Sequence, residues 1–159
     1  DIDGSSIGGG SINDVRDEDD PENMNLSELI TKRDLLKNEI GKHESSLSVL
    51  RAFIKSASFE INKLQECKNK AKNDVKVWCA KFEKEHGKEP TPIEKQELEP
   101  SRLYEEYTNA RNALESAIQQ RQEAVMLEQK TLVMTVNKRE LLEHMESVIK
   151  RLQTSKVDG

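Results

Sequence analysis

The residues in this 159-residue chain that could carry chemistry are few and scattered. There are three histidines (His43, His86, His144) and two cysteines, Cys67 and Cys79. A zinc or other metal centre needs such ligands at short, repeated spacings, and these five show none. Cys67 and Cys79 lie twelve residues apart in a helical pattern. One helix would hold them ~18 Å apart along its axis, so they cannot bridge within it and read as reduced thiols. Gly8-Gly9-Gly10 has neither an adjoining strand nor the Lys-Ser/Thr of a phosphate loop. Serines are common, yet none has a His and Asp placed to make it a nucleophile. No cofactor or metal is expected, and no enzymatic activity. His43 falls on an apolar seam, where it is either a packed side chain or a pH-sensitive one.

Lysine is the residue type that clusters. Residues 63–95 hold nine lysines against six acids and no arginine, with Trp78 and Phe82 inside the stretch and Tyr104 and Tyr107 close behind. Lys68, Lys72, Lys76, Lys81, Lys84 and Lys88 could form a basic tip for RNA, acidic protein tails or an anionic surface. The other reading is a solvated lysine face around an aromatic plug. Missing arginine speaks against nucleic acid, since phosphate is gripped best by the guanidinium fork.

The elements that must carry these residues are long helices. Charged residues make up 35% of the chain, hydrophobic ones 34% and aromatics 4%, a balance that suits a thin seam better than a round core. No apolar run approaches the ~20 residues of a transmembrane segment. Residues 1–23 carry eight acids and one base, leaving the remainder near neutral at +2. With few apolar anchors, residues 1–24 read as a disordered acidic tail.

Asn25 and Glu28 make a capping box, flanked by Met24 and Leu29 as a hydrophobic staple. From there a heptad runs without interruption. Its a positions are Leu26, Arg33, Ile40, Leu47, Ile54, Ile61, Lys68, Val75 and Phe82. Its d positions are Leu29, Leu36, His43, Leu50, Ala57, Leu64, Ala71, Trp78 and Glu85. Fourteen of the eighteen are apolar, which is a coiled-coil pattern. A first helix over 25–86 follows, ~90 Å long. Gly87 can end it in a left-handed cap, and Thr91-Pro92-Ile93-Glu94 supplies an N-cap, a proline at the first helical position and a second capping box. Gly87, Pro90, Thr91 and Pro92 therefore specify a turn over 87–100, with a short helix near 92–99 broken at Pro100. A second long helix follows over 101–155. Its best register places Leu103, Glu106, Ala110, Ala113, Ala117, Gln120, Ala124, Leu127, Thr131, Met134, Lys138, Leu141, Met145, Val148, Leu152 and Ser155 on the seam. Two long helices joined by a short turn fold back on each other, so the expected fold is all-α, an antiparallel coiled-coil hairpin of residues 25–156.

The segment Phe82-Glu83-Lys84-Glu85-His86-Gly87-Lys88-Glu89-Pro90-Thr91, with Glu94-Lys95, Leu103-Tyr104 and Tyr107 behind it, resembles a helix–Gly–Lys–x–Pro–helix element of the "family with sequence similarity thirteen" proteins, some of which carry a Rho-GAP domain. A looser version occurs in a group of replication initiation factors. The likeness spans residues 75–115, about a quarter of the chain. It implies a eukaryotic coiled-coil adaptor segment and carries over no catalytic residue.

The expected role is a non-enzymatic scaffold or adaptor in a cytoplasmic assembly, with cytoskeletal, centrosomal and ciliary settings as candidates. Its partners would be proteins, including a second copy of itself, with a small GTPase as a candidate. The alternative is an RNA- or anionic-surface-binding arm that uses the lysine tip. One further pattern favours self-association. Val125, Met126, Leu132, Val133 and Val136 fall outside the second helix's seam, leaving it apolar nearly all round. Val49, Phe53 and Phe59 are surplus in the same way on the first helix. Folding about the turn should bring both sets level as one belt, on which a second hairpin could pack as a four-helix core.

Overall fold

A computed structural model describes residues 20–158, and all of its regular structure is helical. A 3-10 turn, Pro21–Asn23, leads into helix α1, Leu26–His86. A one-turn helix α2, Pro92–Lys95, precedes helix α3, Leu98–Asp158. α1 and α3 pack against each other as an antiparallel hairpin. Two packed units are distinguished along it, one formed by residues up to Leu47 with those from Lys130 onward, the other by Ser48–Gln129.

The helix starts are built by the residues that the sequence marks for them. The Asn25 Oδ1 accepts from the Glu28 amide at 2.8 Å, and the Glu28 carboxylate accepts from the Asn25 amide at 3.3 Å. Thr91 and Glu94 repeat this exchange at 3.2 and 2.8 Å at the start of α2, where Pro92 takes the first position. Each box satisfies two of the amide donors that a helix start leaves open. The backbone bond to Thr91 is the main cause that holds the Glu94 carboxyl below its usual value. Between the helices Gly87 has φ +71°, and its amide donates to the Glu83 carbonyl at 2.7 Å, closing α1. A methyl group at Gly87 would meet nothing within 4 Å. The cost of Gly87→Ala is thus backbone strain alone. It should lower stability by ~1 kcal/mol in a urea melt, and Thr91→Ala should cost ~1 kcal/mol through the lost cap. Neutral values for both would show that the connector is not what sets the turn.

The break in the connector lies at Gln96-Glu97, before Pro100 rather than at it, and α3 starts at Leu98 rather than 101. Pro100 is buried in the first turn of α3. The first amide there to bond four residues back belongs to Ser101, which donates to the Glu97 carbonyl at 2.8 Å. Pro100 thus occupies a position whose amide has no helical partner to lose.

A second correction concerns the tail. Residues 1–19 lie outside the described residues, but residues 20–24 are ordered. Asp20 caps the 3-10 turn by accepting from the Glu22 amide at 3.0 Å, and the Met24 side chain is buried. Met24 joins Leu29, Leu36, Ile40, Met145, Val148 and Ile149 in the apolar cluster of the first unit, with Leu26, Ile30 and Leu142 against it. Outside that cluster, Glu22 is held by Arg151 at 2.7 Å and by His144 at 2.9 Å. These hydrogen bonds keep the Glu22 carboxyl below its usual value, Arg151 contributing most.

On α1 the heptad reads correctly residue by residue: every a and d position from Leu26 to Phe82 is buried or half-buried, and only Glu85 is exposed. On α3 the sequence register is half right. The positions seven apart from Leu103 to Met145 face inward, through Ala110, Ala117, Ala124, Thr131 and Lys138. Their seam companions lie four residues on, not three: Tyr107, Leu114, Arg121, Glu128, Thr135, Leu142 and Ile149. Glu106, Ala113, Gln120, Leu127, Met134 and Leu141 are exposed instead, as are Leu152 and Ser155. Several polar residues on the seam are tolerated because they have partners. Arg121 Nε donates to Ser58 Oγ at 2.9 Å, Arg51 Nε donates to Glu128 Oε2 at 2.9 Å, and Thr135 Oγ1 donates to the Thr131 carbonyl at 2.7 Å. A buried polar group that keeps its hydrogen bond avoids most of its desolvation cost.

Candidate interaction surfaces

The register of α3 decides what the helix offers outward. In the Ser48–Gln129 unit, Met126 is 69% exposed and Leu127 51%. In the other unit Val133 is 59% exposed, with Leu132, Met134, Val136 and Leu141 also open. Val125 is half-buried. The sequence placed Leu127, Met134 and Leu141 on the seam; Leu114, Leu142 and Ile149 take their places there, so the outward apolar face of α3 is shifted to include the first three. On α1, Val49, Phe53 and Phe59 are all exposed. Isolated surface hydrophobes are ordinary, but a run of large ones around one helix is a docking signal.

The lysines divide. Lys68 is a half-buried seam residue, whereas Lys72, Lys76, Lys81, Lys84 and Lys88 are exposed. Lys88 reaches Glu94 at 3.7 Å, an ion pair inside the connector. Pro90 and Thr91 are half-buried there, and Pro92 is exposed. Four aromatics of this unit gather near the connector in two sets of contacts. Trp78 stacks on Phe82 at 5.4 Å between centroids, and Phe82 on His86 at 4.2 Å. Tyr104 Oη meets Cys79 Sγ at 3.3 Å, and Lys95 Nζ stands 5.7 Å from the Tyr104 ring centroid. Burial, together with the Cys79 contact, pushes the Tyr104 phenol up to about 12, so it stays protonated and neutral.

The histidines occupy three unlike settings. His43 Nε2 lies 3.1 Å from Lys138 Nζ, which also reaches Glu39 at 3.1 Å. The Lys138 ammonium is thus shared between the His43 ring and the Glu39 carboxylate. His86 stacks in the aromatic row, and His144 meets Glu22. Cys67 is an exposed free thiol and Cys79 a half-buried one. Among the described residues no three His, Cys, Asp or Glu side chains are grouped to hold a metal ion, and no helix is long and apolar enough to cross a membrane. What the arrangement offers chemically is surface: apolar side chains along α3 and a lysine-bordered aromatic flank. Compared with known proteins, the chain matches no protein-family model, no curated protein and no solved structure.

Proposed function

We propose that this hairpin is a non-enzymatic scaffold or adaptor module that works by protein–protein contact, beginning with a second copy of itself. The observation that supports this reading is the surplus of large apolar side chains that α3 exposes once its seam is filled, Met126, Leu127 and Val133 foremost. Covering such surface gains roughly 25 cal/mol per Å² of apolar area removed from water. Helical hairpins do so economically by pairing into four-helix packings, where outward apolar positions of one hairpin become core positions of the pair. The residues that would meet a second copy are Val49, Phe53, Phe59, Val125 and Met126 in the Ser48–Gln129 unit and, in the other unit, Leu132, Val133 and Val136.

Sedimentation equilibrium tests this at about 100 μM, a concentration that saturates an association of micromolar Kd. The wild-type chain should run as a dimer or larger, and Phe53→Glu/Val133→Glu as a helical monomer. A monomeric wild type would overturn the self-association. An assembly that the double substitution leaves intact would move the interface elsewhere.

A further inference from the structure

Lys68, Lys72 and Lys76 stand four residues apart on α1, a row of like charges in which each neighbour weakens the helix. No acid lies three or four residues to either side of any of them. Among the described residues, none of the three pairs with a carboxylate within 4.0 Å. Three lysines elsewhere do have such partners: Lys37 meets Glu146, Lys88 meets Glu94 and Lys138 meets Glu39. The row is thus an uncompensated stretch of positive charge within the Ser48–Gln129 unit.

Beside it runs an open groove of about 270 Å³, lined by Lys72, Val75, Lys76, Tyr104 and Tyr107. Val75 is a half-buried seam residue, and both tyrosines are half-buried on α3. Tyr104 is steadied by Cys79 at 3.3 Å and by Lys95 near its ring. The lining therefore offers two ammonium groups, two aromatic rings and an aliphatic side chain, with no carboxylate. Small-molecule sites run ~300–1,000 Å³ and enclose their ligand. A shallower open groove suits a side chain of a larger partner instead.

We propose that this groove docks a short, extended acidic segment of another protein, its carboxylates on Lys72 and Lys76 and one apolar side chain over Val75 beside Tyr104 and Tyr107. The spacing fits. Four helical residues rise ~6.0 Å, and alternate residues of an extended chain lie ~6.6 Å apart, so carboxylates at alternate positions can each meet one lysine of the row. A nucleic acid fits less well. Residues 63–95 hold no arginine to fork onto a phosphate, and the groove is a single aromatic slot rather than a series of stacking platforms. This docking uses residues distinct from those of self-association and stands without it.

Fluorescence anisotropy can test it with a short fluorescein-labelled probe peptide, acidic throughout except for one central Leu. The full chain should bind it saturably, with Kd of order 100 μM at low salt. Lys72→Glu/Lys76→Glu should weaken binding at least ~10-fold, and Lys72→Ala/Lys76→Ala ~5-fold without lowering the melting temperature, because repulsion is relieved. Changing the probe's Leu to Ser should cost ~5-fold through the lost apolar contact. Phe53→Glu/Val133→Glu, which targets self-association, should bind the probe as wild type does. The proposal is overturned by a lack of saturable binding below about 1 mM. It is also overturned by equal binding of the Ser probe, or by binding of oligouridylate RNA or phosphatidylserine vesicles when the peptide does not bind.

Discussion

Leu29→Ala should lower the stability of the hairpin by about 2–5 kcal/mol, towards the upper part of that range. Leu29 is 0% exposed and lies in one cluster with Met24, Leu36, Ile40, Met145, Val148 and Ile149. Removing its isobutyl group leaves a void ringed by side chains held on α1, on α3 and on the segment ahead of α1. Those neighbours cannot all relax inward together, and a residual cavity adds its own cost to the lost transfer energy. Leu35→Ala is the matched control: Leu35 is exposed, so its truncation should change stability by no more than ~0.5 kcal/mol. Urea unfolding followed by circular dichroism reads both. A loss under ~1 kcal/mol for Leu29→Ala would mean that this end of the seam is frayed.

Leu114→Ala and Leu127→Ala should separate just as sharply, and their order tests the register of α3. Leu114 is 4% exposed on the seam, whereas Leu127 is outside it. The structure expects ~2–4 kcal/mol for Leu114→Ala and ~0.5 kcal/mol or less for Leu127→Ala, both measured where the chain is monomeric. Counting apolar residues along α3 favours the opposite order, because it places Leu127 inside. Equal or reversed effects would return the helix to that register.

The reason for the misreading is physical. Two seam patterns share the positions seven apart from Leu103 and differ in whether the companion lies three or four residues on. The three-residue pattern collects Ala113, Leu127, Met134, Leu141 and Val148 and looks the more apolar. The four-residue pattern includes Arg121, Glu128 and Thr135, which a hydrophobicity count penalises. Their bonds to Ser58, to Arg51 and to the Thr131 carbonyl remove most of that penalty, and two of these partners are remote in sequence while the third is on the backbone. Periodicity registers burial but not satisfaction. On α1 only Arg33, His43, Lys68 and Glu85 interrupt the heptad, so the seam was legible as far as Phe82.

Local punctuation was legible for the same reason that it works: Asn25 with Glu28, Thr91 with Glu94 and the left-handed Gly87 act through neighbours within three or four residues. Residues 20–24 escaped because their anchors are remote. Arg151 and His144 on α3 hold Glu22, and Met24 finds its cover in Met145, Val148 and Ile149. The groove of Lys72, Val75, Lys76, Tyr104 and Tyr107 was visible only as a local excess of lysine with tyrosines nearby. Which flank of α3 the tyrosines join depends on the register that the sequence left wrong.

The central claim is that α1 and α3 of one chain pair with each other, and electron–electron dipolar spectroscopy reads this directly. Lys37 and Glu146 are exposed and meet at 3.5 Å in the first unit. Lys37→Cys/Glu146→Cys can be spin-labelled in a chain carrying Cys67→Ser and Cys79→Ser, then diluted tenfold with unlabelled protein. Packed helices lie ~8–10 Å apart, so a label distance of about 15–25 Å should persist at full amplitude on dilution. A distance that vanishes on dilution, or one beyond ~50 Å where packed helices would hold the labels close, would show that the helices pair between chains and contradict the hairpin.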